Sequence, residues 1–199
     1  MIIGITGGSG CGKTTLQNLI RQQGGLVLDC DAIYHELLVS DGAMLAAIDA
    51  RFPGVLENGT LNRKKLGAIV FSDEKSLLDL NAITHSAVKK EVLRQLETKP
   101  RLAAIDAIGL FEGGLAELCH VTVAVTAPEE LRVARLMARD NISEEYARSR
   151  IAAQHREDWF RERCDYILVN DTEKDAFATK CLAFLRQLGI IENNRRAGS

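Results

Sequence analysis

Short apolar runs and longer stretches of helical spacing alternate along this chain. Residues 2–6, IIGIT, form a run of strand length that stops in glycines. From Lys13 to Gln23, leucine and isoleucine recur at 16, 19 and 20, the spacing of one helix face, and Gly24-Gly25 ends the segment. Leu26–Asp29 is a second short run, so the first 29 residues predict a βαβ unit and the start of a parallel sheet with right-handed crossovers. Residues 32–99 keep a helical pattern, punctuated by Gly42, Pro53-Gly54 and Asn58-Gly59, with no convincing strand alternation. Apolar runs return at Leu102–Phe111, Val121–Thr126 and Tyr166–Val169, each bounded by charge or glycine and each read as a buried parallel strand. A charged helical stretch, 129–163, separates the last two. A helix near 174–188 precedes a polar end, 192–199, expected to fray.

The expected fold class is α/β, in three layers, with a parallel five-stranded sheet. One domain, 1–199, is predicted: a core of 1–31, 100–128 and 164–190, a helical insertion at 32–99 and a helical lid at 129–163. A chain of 199 residues buries one good core. Its 46% hydrophobic and 26% charged residues are the balance of a soluble globular protein. A net charge of -2 offers no broad attraction to nucleic acid or anionic lipid, so neither is an expected partner and any anion site must be local. The first residues show no basic, apolar leader, and no stretch approaches the ~20 apolar residues a bilayer demands, so the cytoplasm is the expected compartment. Five cysteines, at 11, 30, 119, 164 and 181, with no CxxC pair, read as reduced thiols. No feature bears on oligomeric state.

Gly7-Gly8-Ser9-Gly10-Cys11-Gly12-Lys13-Thr14 matches the phosphate-loop pattern GxxxxGK[ST] in full, between a predicted strand and a predicted helix. The pattern makes the expected fold that of the P-loop NTPases. Glycine permits the tight path on which successive N–H groups, from Gly8 through Gly12, turn inward toward phosphate oxygens. The helix N-terminus adds partial positive charge. Lys13 is placed to reach the β- and γ-phosphates, Thr14 to ligate Mg²⁺, and Thr15 to make a further phosphate contact. ATP and Mg²⁺ are the expected cofactors.

Three features point to a kinase. Asp31 follows the second strand, on the sheet edge where ligands of open α/β sheets gather, and a carboxylate there can accept a hydroxyl proton. The alternative, equally open at this level, is that Asp31 or Asp29 only caps the next helix. The stretch 129–163 holds eight of sixteen arginines, while no lysine occurs between Lys99 and Lys174. Guanidinium forks grip phosphate oxygens, and Arg135 and Arg139, four apart, are the best candidates, although most of the eight fit a solvated face of Glu-Arg pairs. Asp106, an acid within an apolar run, is the candidate on the metal side, with Glu112 an equal contender. A guanine-reading Asn-Lys-x-Asp element is absent, and the four histidines are too scattered for a metal cluster.

With these residues in hand, the chain resembles the dephospho-coenzyme A kinase family over most of its length. The resemblance rests on GITGGSGCGKTT, LDCDAI, LNRKKLGAIVF at 61–71, LNAITH at 80–85, IDAIGLFE at 105–112, RLMARD at 135–140, RIAAQ at 150–154 and CDYILVN at 164–170. It implies transfer of the ATP γ-phosphoryl group to the ribose 3′-hydroxyl of dephospho-coenzyme A, so the expected partners are two small molecules. It further implies Asp31 as catalytic base, the insertion as substrate-binding region, His85 and Glu112 near the acceptor, Arg139 as a lid arginine and Asn170 near adenine. The chain departs from the family pattern at His35, Ser86, Ile108-Gly109-Leu110 and Asp171, the first three on the acceptor side.

Overall fold

A computed structural model of the protein describes residues 1–192; most of the expected frayed end, 193–199, lies outside the described residues. The elements run β1 (Ile2–Thr6), α1 (Lys13–Gln22), β2 (Leu26–Asp29), α2 (Cys30–Ser40), α3 (Gly42–Arg51), β3 (Leu56–Glu57), β4 (Thr60–Leu61), α4 (Arg63–Val70) and α5 (Glu74–Leu96). They continue with β5 (Ala103–Asp106), a 3₁₀ turn at Ala116–Leu118, β6 (Val121–Thr126), α6 (Glu129–Asp140), α7 (Glu144–Ala152), α8 (Glu157–Arg163), β7 (Tyr166–Val169) and α9 (Lys174–Gln187).

Five strands form the expected parallel sheet, in the order β2-β5-β1-β6-β7. Ile3 is in register with Ala104 of β5, Ile5 with Val123 of β6, and Val125 with Leu168 of β7. Ile3, Ile5, Val123 and Val125 are fully buried, as expected of central strands covered on both faces. Leu16 and Ile20 of α1 and Phe177 and Phe184 of α9 complete this core. Each such side chain contributes roughly 1.5–3 kcal/mol by leaving water.

The chain divides into two compact units: one of Met1–Val27, Pro100–Ile108 and the chain from Cys119 onward, the other of Leu28–Lys99 and Gly109–Leu118. In the first, α6 and α7 pack through Val133, Leu136, Ala147 and Ile151, and Arg148 ties them by bonding Glu129, Glu130 and Glu144. In the second, Met44, Ile48, Phe52, Val55, Leu66 and Val70 form a separate core. All four of its helices start at an Asp or Asn cap, namely Asp29, Asp41, Asn62 and Asp73, whose side chains accept otherwise orphaned N–H groups.

Two expectations need correction. The run Leu102–Phe111 is a strand only over Ala103–Asp106; beyond it the chain turns, with Gly113 N–H bonded to Gly109 O at 2.9 Å and Leu115 N–H to Leu110 O at 3.0 Å. An apolar run does not distinguish a strand from a buried turn. The insertion is also not wholly helical, because β3 and β4 pair antiparallel about Asn58 (φ +51°) and Gly59 (φ +77°). Both positive φ angles suit a two-residue hairpin turn, and two-residue strands are too short to show alternation. No helix among the described residues is long and apolar enough to cross a membrane.

Candidate functional site

The loop between β1 and α1 takes the path its glycines permit. Gly7, Gly10 and Gly12 have φ of +124°, +78° and +93°, and Gly12 caps the open N-terminus of α1. A Cβ on Gly7 would lie 2.1 Å from Val125 O, so β6 backbone closes directly on the loop. Lys13 Nζ donates to Gly7 O at 2.9 Å, folding the ammonium group back over the loop, while Thr14 is exposed in the first turn. Cys11 is only 2% exposed, and burial raises its thiol pKa against the opposing pull of Arg132 and Lys13. It fills a loop position and is not an activated nucleophile.

Side chains of the arginine-rich segment hold this loop from outside. Arg132 Nε donates to Ser9 O at 3.0 Å, and Arg135 NH1 to Gly10 O at 3.2 Å. Gln154, just past α7, accepts from Ser9 N–H at 2.9 Å through Oε1 and donates to Ser9 Oγ at 2.8 Å through Nε2. Arg132 NH2 donates to the same Oε1 at 2.7 Å. A Cβ on Gly8 would lie 2.2 Å from Arg132 NH2 and 2.7 Å from Gln154 Oε1, so the missing side chain admits the pair.

Asn170, at the end of β7, is 5% exposed. Its Nδ2 donates to Cys11 O at 2.8 Å, its N–H to Thr126 O at 2.7 Å, and its Oδ1 accepts from Arg135 NH2 at 3.3 Å. Beside it opens a cavity of about 700 Å³, lined by Gly12, Thr15, Leu131, Arg135 and Phe177 among others. The volume suits a nucleoside-sized ligand. Asp171 pairs with Lys180 at 2.7 Å.

Asp106 ends β5 at 8% exposure, and its Oδ2 accepts from Gln17 Nε2 of α1. Among the described residues, no group of three or more His, Cys, Asp or Glu side chains is placed to hold a metal by itself.

Of the remaining predicted residues, Asp31, His85 and Glu112 lie in the other unit. Asp29 Oδ1 accepts from the N–H groups of Asp31 (3.0 Å) and Ala32 (3.1 Å), so Asp29 is the cap of α2. Asp31 is left in the first helical turn with an exposed carboxylate. His35 donates through Nδ1 to Asp31 O at 2.7 Å. His85 of α5 and Glu112 meet at the glycine-rich turn 109–114: a Cβ on Gly109 would be 3.7 Å from Glu112 Oε2 and 3.8 Å from His85 Nε2. Lys89, one turn beyond His85, faces the same turn and pairs with Glu117 at 3.2 Å.

Arg139 does not join Arg135 at the loop. Its guanidinium forks onto Asp140, with contacts of 2.6 and 2.9 Å, and Arg150 reaches the same carboxylate at 2.7 Å. These bonds hold the Asp140 carboxyl well below the usual carboxylate range. Arg139 lies about one helical turn further along α6, about 6 Å from the level of Arg135. Reading the sequence missed Arg132 and Gln154. The i, i+3, i+7 spacing of 132, 135 and 139 was the available signal for the first, and the RIAAQ match for the second.

Comparison with known proteins agrees with this architecture. A family model described as dephospho-CoA kinase (CoaE) matches residues 1–176. The dephospho-CoA kinase of Geobacillus kaustophilus is 34% identical over 198 residues, covering 96% of this chain and 98% of the relative. A solved structure from Thermus thermophilus superposes with a TM-score of 0.79 at 34% identity, covering 94% and 97% of the two chains. The dephospho-CoA kinase of Campylobacter jejuni gives 0.65 at 25% identity, covering 94% and 96%.

Proposed function

The chain belongs to the dephospho-CoA kinase family, and on that premise we propose that it moves the γ-phosphoryl group of ATP to the ribose 3′-hydroxyl of dephospho-coenzyme A. The loop Gly8–Gly12 with Lys13, Thr14 and Thr15 binds the triphosphate, and the cavity beside Asn170 takes the nucleoside. Asp31 is the base: its carboxylate accepts the 3′-hydroxyl proton as that oxygen bonds to the γ-phosphorus. The bond from phosphorus to the β,γ-bridging oxygen breaks, and ADP leaves with that oxygen. His85 and Glu112, gathered at one turn, orient the acceptor. Arg139 serves the transferred group by exchanging Asp140 for a phosphate oxygen.

Thr14 and Asp106 fit a Mg²⁺ ion, which needs only one or two protein oxygens and takes the rest from phosphates and water. One held carboxylate and one exposed hydroxyl suit that demand, whereas a closed protein cage would need more ligands. When bound, the ion would neutralise charge on the β- and γ-phosphates. Glu112, grouped with His85, is left to the acceptor.

The observation that carries the reading is the loop between β1 and α1, with three left-handed glycines and Lys13 folded over it. The test is a coupled assay of purified protein with MgATP. ADP should form only when dephospho-coenzyme A is present, with coenzyme A as co-product. Equal ADP release without the acceptor would overturn the assignment.

A further inference from the structure

Three consecutive carbonyls of the phosphate loop are each held by a side chain from elsewhere in the chain. Ser9 O accepts from Arg132, Gly10 O from Arg135 and Cys11 O from Asn170. A trans peptide points its C=O and the following N–H in opposite directions. Tying the oxygens of residues 9, 10 and 11 therefore also fixes the opposed directions of the N–H groups of Gly10, Cys11 and Gly12. The Cys11 N–H, on the far side of the peptide from Gly10 O, makes a long 3.3 Å bond to Gly8 O within the loop.

We propose that Arg132, Arg135 and Asn170 are positioning residues that set the direction of the phosphate-binding amides, and that Gln154 completes the brace. The inference rests on the nucleotide reading above and assigns these side chains a task other than touching the base. Each is already committed. Asn170 is buried, with both ends of its carboxamide engaged, by Cys11 O and by Arg135. Arg135 links Gly10 O to Asn170 Oδ1, and Arg132 links Ser9 O to Gln154 Oε1. Gln154 holds Ser9 N–H, the amide just before the three that are aimed. The polar atoms N, O and Oγ of Ser9 are all bonded to this set.

The physical gain is preorganisation. An amide fixed in direction before the anion arrives needs no reorganisation when charge appears, whereas a loop free to flip its peptides must spend binding energy on ordering them. The brace comes from two arginines on one face of α6 and from the end of β7. Its benefit goes to phosphate and not to the nucleoside, and this separates it from a contact with adenine.

Binding of ADP and of adenosine to the intact chain, measured by titration calorimetry, tests this split. Asn170→Asp keeps the shape but replaces the Nδ2 donor by an oxygen facing Cys11 O. It is expected to weaken ADP binding roughly tenfold. Arg132→Lys, which keeps the charge but loses the fork at a residue outside the nucleoside cavity, is expected to weaken ADP binding by a similar factor while adenosine affinity stays within about twofold, and it decides the matter should Asn170→Asp fail to unfold cooperatively. Equal losses for both ligands in Arg132→Lys, or no loss for ADP, would overturn the brace. Wild-type protein that bound no ADP would instead defeat the nucleotide reading.

Discussion

Gln154 grips Ser9 at both ends of its carboxamide, accepting the backbone N–H at 2.9 Å and donating to the hydroxyl at 2.8 Å. One residue just beyond α7 thus holds both the main chain and the side chain of the phosphate loop. Arg132 locks the arrangement by bonding Gln154 Oε1 and Ser9 O. Truncating Gln154 to alanine releases both grips while removing little buried apolar surface. The KM for ATP should rise roughly three- to tenfold in Gln154→Ala, with the KM for dephospho-coenzyme A and the melting temperature nearly unchanged. Steady-state kinetics with each substrate varied in turn checks this, and a rise confined to the acceptor KM would contradict it.

Asp29, not Asp31, caps α2, so the Asp31 carboxylate can be changed without uncapping the helix. Asp31→Asn should keep ATP affinity and the unfolding midpoint while turnover falls by about 10²–10⁴, the range for removal of a general base. Turnover within a factor of three of wild type would remove Asp31 from the mechanism.

Gly7 and Gly8 should respond differently to alanine. A Cβ on Gly7 meets the Val125 carbonyl at 2.1 Å, with φ at +124°, and neither strand can move cheaply. Gly7→Ala is expected to lower stability by about 3 kcal/mol or more. A Cβ on Gly8 meets only the far ends of Arg132 and Gln154, which can swing aside. Gly8→Ala should fold normally but raise the KM for ATP as Gln154→Ala does. Urea unfolding of the two variants separates strain from loss of the grip.

Hydrogen bonds from Arg94, then Gln95, hold the Glu91 carboxyl down at about 2 against an ordinary 4.5. Its folded value lies below its unfolded one, so its contribution to stability is complete above about 4.5 and is lost as pH falls toward 2. Glu91→Gln should therefore destabilise at pH 6 and converge on wild type near pH 2. Urea midpoints at several pH values would show the convergence. The pair is partly exposed, so the gap at pH 6 should shrink in high salt.

Burial raises the thiol of Cys11, takes Cys119 and Cys181 to about 12, and takes Cys164 to about 11. Folded protein at pH 8 should thus react slowly with a thiol reagent, and all five cysteines should react promptly in urea. Rapid titration of five thiols in the folded state would contradict the burial. Slower labelling of Cys11 with ADP present would add evidence that nucleotide occupies the loop.

What could be read in advance was local. The phosphate loop is eight contiguous residues whose conformation follows from their own glycines, so the motif and its flanking periodicity were enough to place it. The sheet was legible for a similar reason, because buried parallel strands appear as unbroken apolar runs. Resolution failed where pattern length was insufficient: β3 and β4 are two residues each, and β5 ends inside an apolar run that continues as a turn. Arg135 was legible as a candidate from composition, but Arg139 looked equivalent because spacing puts both on one helix face and does not say which turn of the helix meets the loop.

By itself, the order of residues determined the fold class, the phosphate loop and the kind of chemistry, since each depends on neighbours within a few positions. Tertiary structure alone decided which distant side chains hold that loop. Arg132 bonds a carbonyl 123 residues away, Gln154 an amide 145 away and Asn170 a carbonyl 159 away. A hydrogen bond is made or lost within a few tenths of an ångström, and only the packing of α6, α7 and β7 against the loop sets distances that finely.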